Sequence, residues 1–450
     1  MLLSYIKELV HEHTGKPARR CVISVPAFFA DSDRRALLSA AKISGLEVVS
    51  LVNDGLAVAI KYATDNLQLA TFKGVHRVLF FDMGATATQA TVVEIHGREA
   101  ASPSSPPSAP SVRVLGAAWD SSLGGAAFTN RLVDLLAKAC LPQADLRKDA
   151  RAMARLRKEA GRAKHVLSAN KETTVTAEDI MGDYDVRQHV KRAAFEEHCS
   201  DLLDRVFAPV STALQRAGNL TLGQLDAIEL VGGGWRVPSV QEALSAHIAR
   251  SLPLGKTLNA DEASCSGAAI LALYLTRAAS ARKTSRAAVS PMIEDVVPHD
   301  VVVMIDSEFV AVMPAGKPLL MLGSGQASAE AWAEDEEGFT VIIPVATSKD
   351  FDAELLYSRE PGAQPFAVYR VTGLEAALAA AGGKASGKGG AGGSGGGAGY
   401  DGGGGESVEL HVKVSRDGIV SVCVCLCLCV YVPVCVKVSW DGTVSVYEFI

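Results

Sequence analysis

Residues 80–94 read FFDMGATATQATVVE. Two phenylalanines run into Asp82, Gly84 opens a stretch of small residues, and apolar residues then resume. A buried strand that ends on an acid and turns on Gly, Ala and Thr leaves backbone N–H groups uncovered by side chains, which suits anionic phosphate oxygens. The acid plays a separate part, holding a divalent metal, usually through water, or orienting an attacking water. Strand-end glycines are common, so this loop by itself also fits a plain tight turn.

Working outward, HRVLFFD (76–82) and TQATVVEI (88–95) predict two strands in a hairpin-like pair around that loop. On the N-terminal side, CVISVPAFF is a β-rich run closed by Pro26. Asp31-Ser32-Asp33 offers N-caps to a helix through about Ser44. LEVVSLV (46–52) reads as a buried strand, followed by a helix from about Asp54 to Tyr62. On the C-terminal side, ASPSSPPSAPS (101–111) is a low-complexity loop that cannot pack. VRVLGAAW (112–119) resumes the sheet, and LGG at 123–125 starts a helix carrying Leu132, Leu135, Leu136 and Ala139 at helical spacing. A basic helix is expected over Arg147–Ser168, and another over about Lys191–Ala217, kinked at Pro209. AIELVGGG (227–234) repeats the strand-into-glycine theme, with helices at about Pro238–Arg250 and Asp261–Thr276. This alternation indicates an α/β domain.

The second glycine loop, LVGGGWRVP (230–238), lets a flat ring or a phosphate approach the backbone closely. Arg236 stands where its guanidinium would stack on a base, the plain alternative being a solvated Arg beside a tight turn. RKEAGRAKHVLSAN (157–170) puts Lys164 and Ser168 one turn apart, so Lys164 either reaches a ribose or phosphate oxygen or is simply exposed.

The 450 residues are 48% hydrophobic, 6% aromatic and 21% charged, with net charge −6. That length suits two or three domains with real cores. The mild negative charge argues against nucleic acid as a partner, and no apolar run suits a membrane span. MLLSYIKELVHEHTG reads as an amphipathic helix rather than a signal peptide. Cys21, Cys140, Cys199 and Cys265 are isolated, with no disulfide or zinc spacing among them.

After about residue 278 the composition changes. ASARKTSRAAVSPMIEDVVPH (279–299) reads as a linker. VVVMI, FVAVM, FTVIIPVA, AELLYS and FAVYRV are short β runs of an all-β module. Residues 375–405 are an Ala/Gly-rich insertion that cannot form a core. Near the end, VKVSRDGIVSV (412–422) recurs as VKVSWDGTVSV (436–446), and Asp-Gly between β runs makes each copy a candidate hairpin. Between them, Cys423, Cys425, Cys427 and Cys429 alternate with apolar residues on one strand face. They could bind metal in principle, but no His or second Cys cluster accompanies them. The preferred reading is a low-complexity or gene-model interruption of a duplicated strand, and an aggregation hazard if exposed.

ISVPAFFADSDRRALLSAAKISGLEVVSLVNDGLAVAIKYA, VLFFDMGATATQATVVEI, LGG, LVGGGWRVPSVQEAL and LNADEASCSGAAI resemble the heat shock protein 70 family, in the family's order over about 265 residues. DMGAT and the Ala/Gly-filled β region are more similar to its large hypoxia-upregulated, endoplasmic-reticulum branch, with the heat shock protein 110 group a close relative. The resemblance implies an actin-like (ribonuclease H-like) α/β ATPase domain of two lobes around a nucleotide cleft, then a β-sandwich that binds unfolded peptide. In those terms residues 1–73 are a remnant of lobe I, 74–278 lobe II, 279–299 the linker and 300–374 the substrate module. Residues 375–405 are then the Gly/Ala-rich insertion and 406–450 the duplicated strands.

By motif, the resemblance assigns Asp82, Gly84, Ala85 and Thr86 to a phosphate loop. Asp82 holds Mg²⁺ through water, and Asp54 stands for the family's metal-site glutamate. Lys164 and Ser168 match the adenosine-contacting helix, Gly232, Gly233 and Arg236 the adenine loop, and Asp261 an acid near the cleft. Gly55 replaces a proline, His165 an arginine, Gly161 a glutamate and Gly234 a serine, departures that weaken base and ribose contacts. The family's first DLGTT phosphate loop and its catalytic lysine have no match, so the expectation is a truncated chain, or an incomplete gene model. Half a clamp should bind weakly and hydrolyse slowly, if at all.

The resemblance implies an ATP/ADP-binding chaperone of unfolded polypeptides that responds to stress. A non-hydrolysing holdase or nucleotide-exchange partner of another heat shock protein 70 is the alternative. An actin-superfold sugar kinase comes third, because the β runs after residue 300 count against it. The implied compartment is the endoplasmic-reticulum lumen, with cytoplasm as alternative, although the C-terminal YEFI carries no retrieval signal.

Overall fold

The computed structural model describes residues 1–66, 74–96, 111–141, 144–181, 184–248, 252, 254–284 and 291–305. Beyond 305 it describes the strands named below with residues 316, 357 and 364–366. The Ser/Pro loop up to residue 110, the Gly/Ala insertion and Cys429 lie outside the described residues.

In chain order the elements are α1 (Leu2–Thr14), β1 (Arg20–Val25), α2 (Asp31–Ile43), β2 (Glu47–Asn53), α3 (Asp54–Asn66), β3 (Val75–Met83), β4 (Thr88–His96), β5 (Ser111–Asp120), α4 (Gly125–Cys140) and α5 (Ala150–Ala169). The hairpin β6 (Glu172–Met181) and β7 (Tyr184–Lys191) precedes α6 (Arg192–Glu197), α7 (Ser200–Leu203), α8 (Ala208–Arg216), β8 (Ala227–Val231), α9 (Pro238–Ser245), β9 (Leu254–Gly255) and α10 (Ala263–Thr284). Then come β10 (Met292–Val296), β11 (Val301–Ile305), β12 (Glu308–Met313), β13 (Pro318–Leu322), β14 (Gly338–Val345), β15 (Phe351–Leu356) and β16 (Ala367–Val371). The last four strands are β17 (Ser407–Ser415), β18 (Val420–Cys427), β19 (Val434–Val438) and β20 (Val444–Glu448).

Seven strands form the central sheet in the order β13-β10-β5-β4-β3-β8-β9. The two-residue alternation of β3 sorts its side chains between two cores. Leu79, Phe81 and Met83 enter the core shared with α4, α5, α8 and α9. Val78 and Phe80 enter the one shared with α3 and α10. That parity places Asp82 on the α3 side, at the strand's end. Helices α3 and α10 touch backbone to backbone: a Cβ on Gly267 would stand 1.7 Å from the Ala57 carbonyl oxygen.

Several local expectations change. Helix α2 begins at Asp31 but is capped by Ala30, whose N–H donates to Asp33 Oδ2 (3.0 Å). The long basic helix begins at Ala150, where Asp149 Oδ1 accepts from the Arg151 and Ala152 amides (2.7 and 3.2 Å). The expected single helix over 191–217 is three short ones, with Pro209 in the first turn of α8. Proline lacks the N–H a helix interior needs but fits a first turn, so the chain restarts there instead of kinking.

The largest difference lies in residues 279–299, read above as linker. Helix α10 runs on to Thr284, and Met292–Val296 is a strand lying parallel to β5, with Ile293 opposite Val112. Glu294 pairs with Arg113 (3.2 Å), and Asp295 turns inward and is buried. Strand β13, from the following β-rich stretch, adds antiparallel to β10.

The remaining β runs form a four-stranded sheet, β12-β11-β15-β16, and a five-stranded one, β14-β17-β18-β19-β20. The duplicated segment keeps its register: Val412 faces Val422 and Val414 faces Val420, as Val436 faces Val446 and Val438 faces Val444. Among the described residues, no helix is long and apolar enough to cross a membrane.

Candidate functional site

Strands β3 and β8 run parallel with Asp82 opposite Val231, so both glycine loops leave the sheet at the same end. That is where open α/β sheets place their ligands. Antiparallel β4 sets Gln89 opposite Asp82. Three loops meet there. Gly84 N–H donates to the Ala87 carbonyl (3.0 Å), closing the β3–β4 turn. The Gly125 and Ala126 amides donate to the carbonyls of Gly84 (2.9 Å) and Ala85 (2.7 Å), tying that turn to the start of α4. The third loop, 232–234, packs against Met83 and Gly84.

Glycine is demanded by this convergence. Gly232 has φ +77°, and a Cβ there would meet Asp82 Oδ1 and Met83 O at 2.5 Å. A Cβ on Gly124 would come within 2.6 Å of the Ala85 carbonyl oxygen, and one on Gly234 within 2.6 Å of Met83 Cγ. Among the described residues, the Ala85, Thr86 and Gly124 amides donate to no backbone carbonyl. Ala85 and Thr86 thus form an exposed rim of uncommitted N–H groups, and Gly124 beside them is buried.

Under that rim lie the two acids. Burial, and then the charge of Asp54, push Asp82 up to about 7. Asp54 opens α3, where the helix N-terminus favours an anion. Burial raises its carboxyl, against hydrogen bonds from Ser264, Ser24 and Gln89 and the charge of Arg34. Ser264 Oγ donates to Asp54 Oδ1 (3.0 Å) and Gln89 Nε2 to Oδ2 (3.4 Å). Gln89 in turn accepts the Ala27 N–H at 2.8 Å. Gly55, read above as a departure, meets a local need: a Cβ there would stand 2.1 Å from Thr91 Oγ1.

The other sequence candidates sit around this pair. Lys164 is half-buried, donates to the Gly125 carbonyl (2.6 Å), and has its pKa lowered by burial. Ser168 Oγ donates to the Lys164 carbonyl of its own helix (3.0 Å). A Cβ on Gly161, one turn before Lys164, would meet nothing within 4 Å. Arg236 and Asp261, picked out separately in the sequence, pair at 3.0 Å on an exposed rim. Gly232 N–H donates to the Ala260 carbonyl (3.0 Å), bringing that stretch to the second loop. The positions sequence reasoning passed over are Gln89, Ser24 and Ser264, while Gly124 was read only within the LGG helix start. A polar Gln inside an apolar strand was the one available signal among them.

Among the described residues no group of three or more His, Cys, Asp and Glu is arranged around a metal position. The two neighbouring carboxylates of Asp82 and Asp54 nevertheless fit an ion such as Mg²⁺, which keeps most of its waters and takes one or two acids from the protein.

Comparison with known proteins agrees with this geometry. The sequence profile of the Hsp70 protein family matches residues 1–311. Hypoxia up-regulated protein 1 of Gallus gallus is 39% identical over 285 residues, covering 62% of this chain and 28% of that protein. The Mus musculus protein of that name is 39% identical and the Homo sapiens one 37%, each over 287 residues with the same coverage. The chain thus spans little more than a quarter of these relatives' length. A match over more than half of its residues, on the strands and loops that build the site, makes this chain a member of the Hsp70 protein family.

Proposed function

We propose that this protein is an ATP-binding molecular chaperone of the heat shock protein 70 type, coupling nucleotide binding to capture of unfolded polypeptide. The observation that carries the reading is the meeting of loops 84–87, 123–125 and 232–234 beside the half-buried Asp82 and Asp54 carboxylates. Uncommitted amides at Ala85, Thr86 and Gly124 bind phosphate oxygens. Gly232 and Gly233 leave a bare backbone wall for a base, with Arg236 beside it. Lys164 holds the α4 loop by its carbonyl, and Ser168 lies one turn further along α5.

The donor set suits Mg²⁺, which when bound neutralises phosphate charge; Asp82, supported by Asp54, would hold it through water. Asp54, fixed by Ser264 and Gln89, keeps the acid pair oriented and raises the cost of ionising Asp82 when no cation is near. The actin-like two-lobed architecture and a β-sandwich for extended peptide, built from the four- and five-stranded sheets, belong to the same reading. So do an endoplasmic-reticulum location and a second heat shock protein 70 as exchange partner.

Isothermal titration with ATP–Mg²⁺, alongside an unfolded-peptide reporter, tests the proposal. Saturable binding lost in Gly232→Ala, with peptide release on ATP addition, is the expected result. Absence of heat at millimolar ATP–Mg²⁺ refutes it. Measured phosphate release separates a hydrolysing chaperone from a holdase that only binds.

A further inference from the structure

We propose that His299 is an acid-sensitive latch: its neutral imidazole fastens the β region to the nucleotide-binding sheet, and protonation releases it. His299 follows β10 by three residues and stands where three parts of the chain meet. Its Nε2 lies 3.2 Å from the Phe28 carbonyl, just ahead of α2. Its ring meets Trp119 of β5 edge-on at 5.1 Å and Tyr357, just past β15, at 4.9 Å. Tyr357 completes the joint, stacking on Phe366 at 4.1 Å while its hydroxyl accepts the Asp31 N–H at 2.7 Å. One imidazole thus bridges the segment before α2, the central sheet and the four-stranded sheet.

The surroundings are built for an uncharged ring. Arg216 from α8 lies over Trp119 at 5.3 Å, so that indole face already serves a cation. Burial, Arg34 of α2 and Arg216 oppose a proton on His299; the Phe28 carbonyl, which accepts from the ring, and Asp300 beside it favour one. Tyr357 is pushed up to about 12 by burial and stays neutral, with Asp31, Asp33 and Arg34 beyond its hydroxyl. Burial leads in holding His299 below the usual histidine value of 6.5. A released ring takes a proton more readily than a docked one. The docked state therefore has its full advantage above pH 6.5 and loses it as pH falls through that value.

Asp295, four residues earlier, works the other way. Burial raises it to about 6, and Asn53 Nδ2 donates to its Oδ2 (3.0 Å). Acidification through its range favours the docked strand, so the two groups oppose each other and only a comparison isolates His299.

The test is hydrogen exchange at the β10 amides of the full chain, wild type against His299→Phe, at pH 7.5 and 5.5. Taking both proteins at the same pH cancels the intrinsic exchange chemistry and the Asp295 contribution. The wild-type protection factor, relative to the variant, should fall more than twofold between the two pH values, tenfold being the ceiling that a free-state pKa of about 6.5 sets. His299→Gln keeps an N–H donor for Phe28 without titrating, and serves if Phe loosens the joint at every pH. A ratio constant within twofold against both variants overturns the proposal. The latch depends on the docked geometry and not on the cleft, so its failure leaves the ATP-binding reading intact and the reverse holds too.

Discussion

The central sheet and the five-stranded C-terminal sheet reach regularity by opposite routes. Around the central sheet, contacts between the elements packed on it are specified by what each partner alone supplies: Gly232 fits against Asp82, Gly124 against Ala85, Gly267 of α10 against Ala57 of α3, and Asn53 of β2 donates to Asp295. Its parallel pairs join segments far apart in sequence, such as β3 with β8 and β5 with β10. The C-terminal sheet between β17 and β20 is a meander of successive antiparallel neighbours, and its repeat carries one register twice. Local alternation suffices for the second; the first needs specific, long-range fits, which are slower to form and harder to replace.

Substitutions around the central sheet should therefore cost most where two backbones touch. Gly267→Ala drives a methyl into the Ala57 carbonyl, with no flexible side chain to yield. The expected loss is about 3 kcal/mol or more, or roughly 10 °C in the thermal midpoint of the central-sheet domain by calorimetry. An unchanged midpoint would mean α3 and α10 are not in this contact.

Asp82→Asn should act in the opposite direction on stability. Asp82 is raised from 3.8 to about 7 in the folded protein. The wild type is thus fully stable with respect to this group below pH 3.8 and loses that advantage as pH rises through 7. The shift sets an upper bound of about 4 kcal/mol, and with partial relaxation the asparagine variant should gain about 2 kcal/mol at pH 8. Near pH 4 the gain should vanish. Urea midpoints at both pH values, with ATP–Mg²⁺ affinity down at least tenfold, would show a site held at a cost to the fold. Equal midpoints at pH 8 would count against a partly desolvated, function-bearing acid.

Much of this region was legible because its rules are local. FFDMGAT carries strand, acid and glycine turn together, and two-residue parity sends Asp82 toward α3 once the strand is recognised. The glycines at 232–234 are readable as a backbone left bare for close approach, and the structure adds a φ of +77° at Gly232. What stayed hidden lives between distant segments. MIEDV looks like linker because two acids interrupt its apolar residues, yet Glu294 answers Arg113 and Asp295 answers Asn53. Nothing near 292–296 announces either partner. Ser264 and Gln89 supported Asp54 unnoticed for the same reason. The break before α8 was misread because Pro209 suits a kink and a fresh helix start equally well.

On the rim the same logic predicts small effects. Arg236 and Asp261 are exposed, and such pairs contribute little to stability. Arg236→Ala should leave the midpoint within about 0.5 kcal/mol while ATP affinity falls roughly three- to fivefold through lost stacking on the base. Loss of stability without loss of affinity would place Arg236 in the scaffold rather than the site.

The smallest effect should come from the repeat. Truncation after Cys427 removes β19 and β20, which pair along the sheet with β18 and with each other. If the duplicated hairpin is held by its own alternation, the domain built on the central sheet should not notice. Its midpoint should stay within about 1 °C and ATP affinity should not change, while β17 and β18 keep their register of Val412 opposite Val422. Register is set where one strand meets its immediate neighbour, so losing the outer pair frees an edge without moving the inner one. The new edge exposes β18, and faster aggregation at an unchanged domain midpoint is the signature expected. A fall in that midpoint would show that the two regions share more than a chain.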